Sequence, residues 1–373
     1  MTFLSYHEKR DWLRLARTQN VGPVTFAALV ARFGSASAAL DAVPRLAKHG
    51  GAANFKVPSI ADAEAEFNTL AKWNGSFIAS CEESFPPGLA ATDPPPPILA
   101  VLGNPALLTR DAVAIVGARN ASALGRKFAT NLAAELGRAG LTIVSGMARG
   151  IDAAAHEAAL SSGTCAVLAG GVDVVYPSEH RSLYDRMRAE GAVVSEMPMG
   201  ESPQARHFPR RNRIISGMSR GVVVVEAAEN SGSLITATYA LEQGREVFAV
   251  PGSPMDPRAR GTNRLIRQGA TLTESAEDIL EVLRPMLGNA FREPETSALL
   301  PSEPNLESGI CETENLQRAI LELLGPSPIA VDDLIRQCGV PAAVVLTTLL
   351  ELELGGRAQR HAGNRVSLAS TLF

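Results

Sequence analysis

A cluster of arginines between residues 206 and 220 is the part of the sequence best suited to chemistry on a charged ligand. It holds five arginines, and no Asp or Glu occurs between Ser202 and Val225, although the whole chain has a formal net charge of −4. A guanidinium is planar and permanently charged, so it can hold a phosphate through two hydrogen bonds. Phe208 adds an apolar face on which an unstacked base could lie. The pattern predicts a local site for a polyanion, with a solvated basic helix face as the alternative.

Polar or glycine-containing segments follow several of the predicted strands. They comprise residues 117–119, 145–150, 170–171, 206–213 and 231–233. In an open parallel sheet the carboxyl ends of the strands meet at one edge, where the N-termini of the following helices point. Glycines let the backbone approach a phosphate, and free amides stabilise its charge. We expect these segments to form one phosphate-binding edge.

The elements that position these segments alternate between apolar strands and helices. Strands are predicted over residues 112–117, 142–146, 165–171, 192–196, 222–227 and 246–252. Continuous apolar runs alternating with helices indicate a parallel sheet that is covered on both faces. The fold class is therefore α/β, with a Rossmann-like, doubly wound, mostly parallel sheet over residues 76–287.

Smaller domains are expected on either side of this sheet. Residues 1–75 show helical spacing around a Gly22-Pro23 turn and resemble a helix-hairpin-helix or SAM-like module. The proline-rich stretch 82–110 is expected to be an extended connector, with no helix at 85–89 or 93–99. Residues 288–312 indicate a flexible linker. Three helical patterns and a terminal hairpin over 313–373 suggest a winged-helix domain.

The bulk composition limits the function classes. The four cysteines lie far apart and form no metal-binding spacing, so neither a zinc site nor a disulfide framework is expected. Charged residues follow the first residues at once, which is unlike a signal peptide, and no apolar run reaches membrane-spanning length. We expect a cytoplasmic protein without a metal, a cofactor or a membrane partner.

Two common nucleotide-binding motifs are missing from the sequence, and the candidate catalytic residues each have a structural alternative. The first loop is not a GxGxxG fingerprint, and no GxxxxGK[ST] loop occurs. Asp152 and His156, four residues apart on a predicted helix, could perform acid–base work or make a structural hydrogen bond. Glu226 could be a general base or could hold facing arginines. No nucleophile has an obvious base partner.

Five ordered motifs resemble those of the DprA family of DNA-processing proteins, also called Smf. They lie at residues 115–119, 145–152, 208–215, 231–237 and 261–266. The resemblance covers essentially the whole chain. It implies a protein that binds single-stranded DNA, protects incoming DNA in natural transformation and helps to load the RecA recombinase. It further implies a homodimer formed through the Rossmann-like domain and no enzymatic activity.

The resemblance also implies a set of residues that bind single-stranded DNA. Carried onto this sequence they are Gly117, Arg119, Ser145, Gly146, Arg149, Phe208, Arg210, Arg211, Asn212, Arg213, Gly232 and Ser233. The predicted recognition helix of the winged-helix domain, residues 341–354, contains two glutamates and no Lys or Arg. A helix that reads the major groove normally carries basic and amide side chains. A protein contact or a weak DNA contact is therefore favoured for this domain.

Two other function classes remain as alternatives. A Rossmann-type nucleotide N-glycosidase or phosphoribohydrolase uses an arginine, a strand-end glutamate and a glycine-rich phosphate loop. That class expects a PGGxGTxxE-type loop, whereas residues 230–237 of this chain contain no glutamate. The other alternative is a scaffold whose arginines pair with an acidic partner protein.

Overall fold

The computed structural model describes residues 3–51, 55–286, 310–325, 327–361 and 363–369. Its helices are α1 (Tyr6–Ala16), α2 (Pro23–Phe33), α3 (Ala36–His49), α4 (Ile60–Lys72), α5 (Pro87–Ala90), α6 (Ala123–Arg138), α7 (Ile151–Ala159), α8 (Arg181–Glu190), α9 (His207–Gly217), α10 (Gly232–Glu242), α11 (Arg260–Arg267), α12 (Ala276–Leu283), α13 (Ile310–Leu323), α14 (Val331–Cys338) and α15 (Ala342–Leu354). Its strands are β1 (Ser76–Ala79), β2 (Ile98–Gly103), β3 (Ala112–Val116), β4 (Thr142–Ser145), β5 (Thr164–Val167), β6 (Ala192–Ser195), β7 (Gly221–Val224), β8 (Glu246–Ala249), β9 (Thr271–Leu272), β10 (Ile329–Ala330), β11 (Ala358–His361) and β12 (Arg365–Leu368).

The chain divides into two compact units. The first contains residues 1–9 and 61–289, and the second contains residues 10–60 and 290–373. The boundary near the N-terminus falls inside α1. The second unit therefore joins the two ends of the chain.

The first unit is built on a nine-stranded sheet in the order β1-β2-β6-β5-β4-β3-β7-β8-β9. The strands from β6 to β9 in this order are parallel, and β1 and β2 add antiparallel pairs at one end. The chain leaves β3 towards β4 on one side and returns to β7 on the other. The pair β3 and β7 is therefore the topological switch point, where open α/β sheets bind ligands. The prediction of a doubly wound, mostly parallel sheet is confirmed.

Both faces of this sheet are buried, as the continuous apolar runs predict. On one face Val144, Val167 and Val224 pack with Ile214 of α9 and Leu234 of α10. The other face buries a second cluster against α6, α7 and α12, formed by residues such as Val113, Ile115, Ile143, Leu132, Ile151 and Ile279. These two layers fix the helix N-termini at the carboxyl edge of the sheet.

The expectation of an extended connector over residues 82–110 was wrong. Residues Pro87–Ala90 form α5, and Ile98–Gly103 form β2, which pairs with β6 from Ala100 opposite Ser195. Pro87 is tolerated because it occupies the first turn of α5, where an amide has no intrahelical acceptor. The apolar run after Pro97 is free of proline and can donate every ladder hydrogen bond. Strands β1 and β9 were not predicted either.

The second unit contains the winged-helix domain and the N-terminal helices. Helices α13, α14 and α15 and the sheet β10-β12-β11 enclose a core that includes Ile320, Leu334, Leu349 and Val366. A further cluster packs Phe26, Leu29 and Val43 with Leu350 and Leu354 of α15. The predictions of an N-terminal helical domain and a C-terminal winged helix are confirmed. The predicted linker over 288–312 lies outside the described residues, except that its last three residues begin α13.

In the described residues no single helix is long and apolar enough to cross a membrane. Two bent pairs, α2 with α3 and α14 with α15, pass that test of length and composition only when each pair is taken together.

Candidate nucleic-acid interface

The first loop of the predicted edge connects β3 to α6 and is held by Glu226 at the end of β7. Ser122 caps α6 by accepting a hydrogen bond from the amide of Gly125 at 2.8 Å. The carboxylate of Glu226 accepts from the Ser122 hydroxyl at 2.6 Å and from the Ser122 amide at 2.9 Å. Glu226 thus ties the two strands of the switch point together. The partner of Glu226 is thus Ser122 and not one of the facing arginines that the sequence had suggested.

Gly117 begins this loop and packs closely against α7. A Cβ at Gly117 would lie 2.6 Å from Cγ1 of Ile151. The backbone therefore needs glycine there for close approach to a neighbouring helix. Arg119, two residues further on, is exposed at the edge of the sheet.

The second loop connects β4 to α7, and its polar groups are mostly satisfied from within. The buried Ser145 hydroxyl donates to the carbonyl of Ile115 at 2.6 Å. The carboxylate of Asp152 accepts from the amides of Gly146 at 3.1 Å and Ala148 at 3.2 Å. Burial raises the pKa of Asp152, although the charge of Arg211 and these amides oppose that shift. Ser145 and Asp152 therefore shape the loop from beneath.

His156 on α7 is also buried, and its environment does not suit it to acid–base chemistry. Its Nδ1 lies 2.7 Å from the hydroxyl oxygen of Thr164. Burial lowers the pKa of His156 to about 3, and the charges of Arg211 and His180 act in the same direction. The Asp152 and His156 pair, which had been considered for acid–base work, makes structural hydrogen bonds.

A cavity of about 290 Å³ opens among the loops that follow β3, β4 and β5 and the start of α9. Its lining combines arginines, apolar side chains and glycine backbone: Arg119, Gly146, Ala148, Arg149, Leu168, Ala169, Gly170, Val174, Val175, Tyr176, Pro177, Ser178, Pro203, Phe208 and Arg211. Five predicted DNA-binding residues therefore come together around one cavity: Arg119, Gly146, Arg149, Phe208 and Arg211.

Aromatic and cationic groups form one wall of this cavity. Cζ of Arg119 lies 5.2 Å from the centroid of the Phe208 ring, within range of a cation–π contact. The Tyr176 ring lies 5.9 Å from the Phe208 ring between centroids. Tyr176 is half exposed and had not been singled out in the sequence. Tyr176 follows an apolar stretch, Val174-Val175, and nothing in that local sequence indicates a binding role for the ring.

Arg211 is the buried cation of this site. Only 7% of its surface is exposed, and its Nη1 donates to the carbonyls of Gly146 at 2.5 Å and Val167 at 2.9 Å. Burial lowers the pKa of Arg211 to about 10, while the charge of Asp152 opposes that shift. Arg211 therefore stays protonated at neutral pH and places a positive charge in the cavity lining.

Arg149 lies exposed at the rim and is engaged by an acidic neighbour. Its Nε and Nη2 donate to the two carboxylate oxygens of Glu179 at 2.6 and 2.5 Å. Glu179 belongs to a 3-10 turn, Ser178–His180, whose His180 Nδ1 lies 3.0 Å from the carbonyl oxygen of Met147. This pair has the two-bond geometry that a phosphate would take with the same guanidinium.

The remaining predicted residues of α9 lie outside the cavity lining. Arg213 donates to the buried carboxylate of Glu196 at the end of β6, and Nε of Arg210 lies 3.5 Å from the other oxygen of that carboxylate. Asn212 accepts from Nε of Arg211 at 3.1 Å and donates to the carbonyl of Gly232 at 3.3 Å. Of these three side chains, Arg210 has the largest exposure, at 51% of its side chain.

Gly232 and Ser233 form the start of α10 after β7. The Ser231 side chain caps this helix by accepting from the Ser233 amide, and the two hydroxyl oxygens lie 2.7 Å apart. Gly232 is exposed, and nothing would lie within 4 Å of a Cβ there. Both residues lie outside the cavity lining. Among the described residues no group of three or more His, Cys, Asp or Glu side chains is placed to hold a metal ion.

Three family models match successive parts of the chain. "DNA recombination-mediator protein A" matches residues 76–284, "DprA-like N-terminal HHH domain" matches residues 6–69, and "DprA winged helix domain" matches residues 304–364. The curated protein Smf of Escherichia coli is 41% identical over 308 residues, which are 82% of this chain and 80% of that protein. DNA processing protein DprA of Bacillus subtilis is 47% identical over 220 residues, which are 58% of this chain and 74% of that protein.

Two solved structures share the fold. That of DprA from Streptococcus pneumoniae matches with a TM-score of 0.62 and 32% identity, covering 75% of this chain and 98% of that one. The structure of the Helicobacter pylori protein, described for its single-stranded DNA binding mode, matches with a TM-score of 0.53 and 27% identity, covering 57% of this chain and 97% of that one. The three family models and these relatives indicate the same family. The chain belongs to the DprA (Smf) family of DNA-processing proteins.

Proposed function

We propose that this protein binds single-stranded DNA at the cavity bounded by Arg119, Arg149, Phe208 and Arg211, without being an enzyme. The observation that carries the proposal is the joint presence of exposed guanidiniums, a buried guanidinium and an aromatic wall around one cavity. Phosphates pair with the exposed arginines, and an unstacked base lies against the aromatic wall. A duplex keeps its bases stacked and cannot offer one to this wall. The solved structure of the Helicobacter pylori relative supports the same ligand.

The predicted DNA-binding residues fall into those that a ligand can reach and those that hold the surrounding backbone in position. Arg119, Arg149 and Phe208 are accessible to a ligand, and Arg210 extends the positive charge beyond the cavity. Gly117, Ser145, Gly146, Arg211, Asn212 and Arg213 hold the loops and the helix start in position through the contacts described above. Gly232 offers its amide at the exposed start of α10, where a phosphate further along the strand could bind, whereas the amide of the buried Ser233 donates to the Ser231 side chain.

Membership of the family suggests how such binding would be used. We infer a cytoplasmic protein that protects incoming DNA in natural transformation and assists the loading of RecA. We also infer a homodimer formed through the Rossmann-like domain. Exposed Ile235 and Leu241 on α10 provide apolar surface on that domain, at 41% and 63% exposure. Sedimentation equilibrium on the full chain tests the dimer, and RecA filament formation on coated single strands tests the loading.

The central test is a fluorescence-anisotropy titration with a single-stranded oligonucleotide and its duplex at two salt concentrations. We expect tighter binding of the single strand and a steep fall in affinity with salt, because bound counterions are released from the phosphates. Arg119→Ala and Arg149→Ala should each weaken binding for every sequence and reduce the salt slope by about one.

The matched control is Arg138→Ala, because Arg138 is exposed at the opposite end of α6 from the cavity. Unchanged affinity in the two cavity variants would contradict the proposal. A release of free base from a nucleoside monophosphate would favour the nucleotide N-glycosidase instead. Retained DNA binding after neutralisation of the whole arginine cluster would show that DNA binds elsewhere and would leave these arginines to an acidic partner protein.

A further inference from the structure

Helix α15 occupies the position of the recognition helix in the winged-helix domain, yet half of it is buried. Every residue from Thr348 to Leu354 is buried, whereas Ala342, Ala343, Val344 and Leu346 near its start are exposed. The buried half has two apolar sides. Leu349 and Leu352 face the winged-helix core, while Leu350 and Leu354 pack with the N-terminal helices α2 and α3. The helix is therefore shared between two modules.

The two glutamates of α15 are buried in this contact and have specific partners. The Thr25 hydroxyl of α2 donates to Glu353 at 3.1 Å, and Nε of Arg360 in β11 donates to the other carboxylate oxygen at 2.7 Å. Glu351 accepts from Gln317 Nε2 at 3.1 Å, and that same nitrogen donates to the carbonyl of His49 at 3.2 Å. A buried carboxylate without such partners would be costly. Glu353 therefore binds the N-terminal helices directly, and Glu351 is linked to them through Gln317 of α13.

The backbones of the two modules also touch. A Cβ at Gly50 would lie 1.8 Å from the carbonyl oxygen of Glu351, and a Cβ at Gly355 would lie 2.1 Å from the carbonyl oxygen of Gly50. Both glycines have a φ of −70°, a conformation that any residue can adopt. Their small size is needed only for the contact. The Asn20 side chain, just before the Gly22-Pro23 turn, donates to the carbonyl of Leu354 at 3.0 Å.

Helix α15 also lacks the side chains with which a winged helix usually reads DNA. A recognition helix normally inserts basic and amide side chains into the major groove. Helix α15 has none, and Arg360, one of the basic residues of the wing, is committed to Glu353 with only 12% of its side chain exposed. The turn of the N-terminal helical module is likewise occupied through Asn20.

We propose that α15 is the docking site for the chain's own N-terminal helices, so that residues 10–60 and the winged-helix domain form one cooperative module in which α15 is withheld from duplex DNA. This inference goes beyond single-strand binding at the cavity and does not depend on it. It gives the N-terminal module a role, which is to cover the recognition helix.

The experiment is hydrogen exchange with mass spectrometry on the full chain, comparing three alanine variants. Gly50→Ala adds one methyl group whose near neighbours all belong to the winged-helix domain, so it should accelerate exchange in the buried half of α15 roughly tenfold or more. Gly355→Ala adds the methyl group from the other side and should accelerate exchange in α2 and α3. Gly22→Ala is the control, because Gly22 has a φ of −88° and nothing within 4 Å of its Cβ position.

Several outcomes would overturn the inference. One is that hydrogen exchange in the opposite module is unchanged in both Gly50→Ala and Gly355→Ala, so that these variants cannot be distinguished from the control Gly22→Ala. Peptides from the Rossmann-like domain provide an internal reference for global unfolding, since their exchange should not change. A second measurement adds a duplex oligonucleotide to the wild-type protein. We expect no change in α15, and protection of α15 by the duplex would show that it reads DNA after all.

Discussion

The guanidinium of Arg211 donates to the carbonyl of Gly146 at 2.5 Å, so a side chain of α9 holds the loop after β4. The contact leaves no room for a side chain at Gly146, since a Cβ there would lie 2.0 Å from the same Nη1. The loop amides of Gly146 and Ala148 are in turn bound by Asp152. The floor of the cavity is therefore a closed set of hydrogen bonds that carries one buried positive charge.

Gly146→Ala should displace Arg211 and damage both stability and DNA binding. The new methyl group and a buried guanidinium cannot occupy the same space. Moving Arg211 leaves the carbonyls of Gly146 and Val167 without their donor and takes a positive charge away from the buried Asp152. We expect a loss of about 2–4 kcal/mol in the free energy of unfolding, measured by urea denaturation. Gly232→Ala is the control for stability alone, because nothing lies near its Cβ position although the residue belongs to the predicted DNA-binding set. Equal stability of the two variants would argue against this function of Arg211.

The fold and the location of the cavity could be predicted from the sequence because both follow from simple periodicity. Buried parallel strands are continuous apolar runs, and their carboxyl ends must share an edge. The loops that carry Arg119, Gly146 and Arg149 were placed correctly at that edge for this reason. Phe208 and Arg211 reach it because α9 follows β6, the strand beside β5.

The division of labour among the arginines could not be predicted, because it depends on acids from other elements. Glu196 engages Arg213 and Arg210, and Glu179 engages Arg149 from a 3-10 turn thirty residues away. Nothing in the local sequence distinguishes these acids from solvated ones. The packing of the N-terminal helices on the winged-helix domain was missed for a related reason. The residues in contact are far apart in the sequence, and Thr25 and Glu353, for example, are separated by 328 positions.

His156 should make the protein sensitive to acid. Its pKa is about 3 in the folded protein and about 6.5 when unfolded, so the unfolded state binds a proton that the folded state excludes. The resulting stabilisation is complete above about pH 6.5 and is lost as the pH falls towards 3. From this group alone, unfolding at pH 4.5 should cost about 2–3 kcal/mol less than at pH 7. Urea titrations at both pH values should show a smaller loss for His156→Asn, which cannot take up the proton; an equal loss would contradict the assignment.

Phe208→Ala should weaken single-strand binding through the loss of the aromatic wall. Base stacking on an aromatic side chain contributes about 1–3 kcal/mol per base, and Arg119 also loses its cation–π partner. Phe208→Tyr keeps a ring and should retain most of the affinity in the anisotropy titration. Tyr176→Ala should show a smaller loss, because that ring is half exposed. If Phe208→Ala and Phe208→Tyr bind alike, no base stacks on this wall.

Glu179→Gln should strengthen single-strand binding, because Glu179 holds Arg149 in the two-bond geometry that a phosphate would use. Removing the carboxylate charge releases the guanidinium without changing the size of the side chain. The salt slope should stay close to that of the wild type, since Arg149 contacts phosphate in both proteins but no longer has to leave a carboxylate first. Glu190→Gln removes the same charge from another exposed arginine pair, with Arg186 on α8, and controls for the general gain in positive charge. Equal gains in the two variants would show that Glu179 acts only through net charge and that Arg149 meets DNA without competition from it.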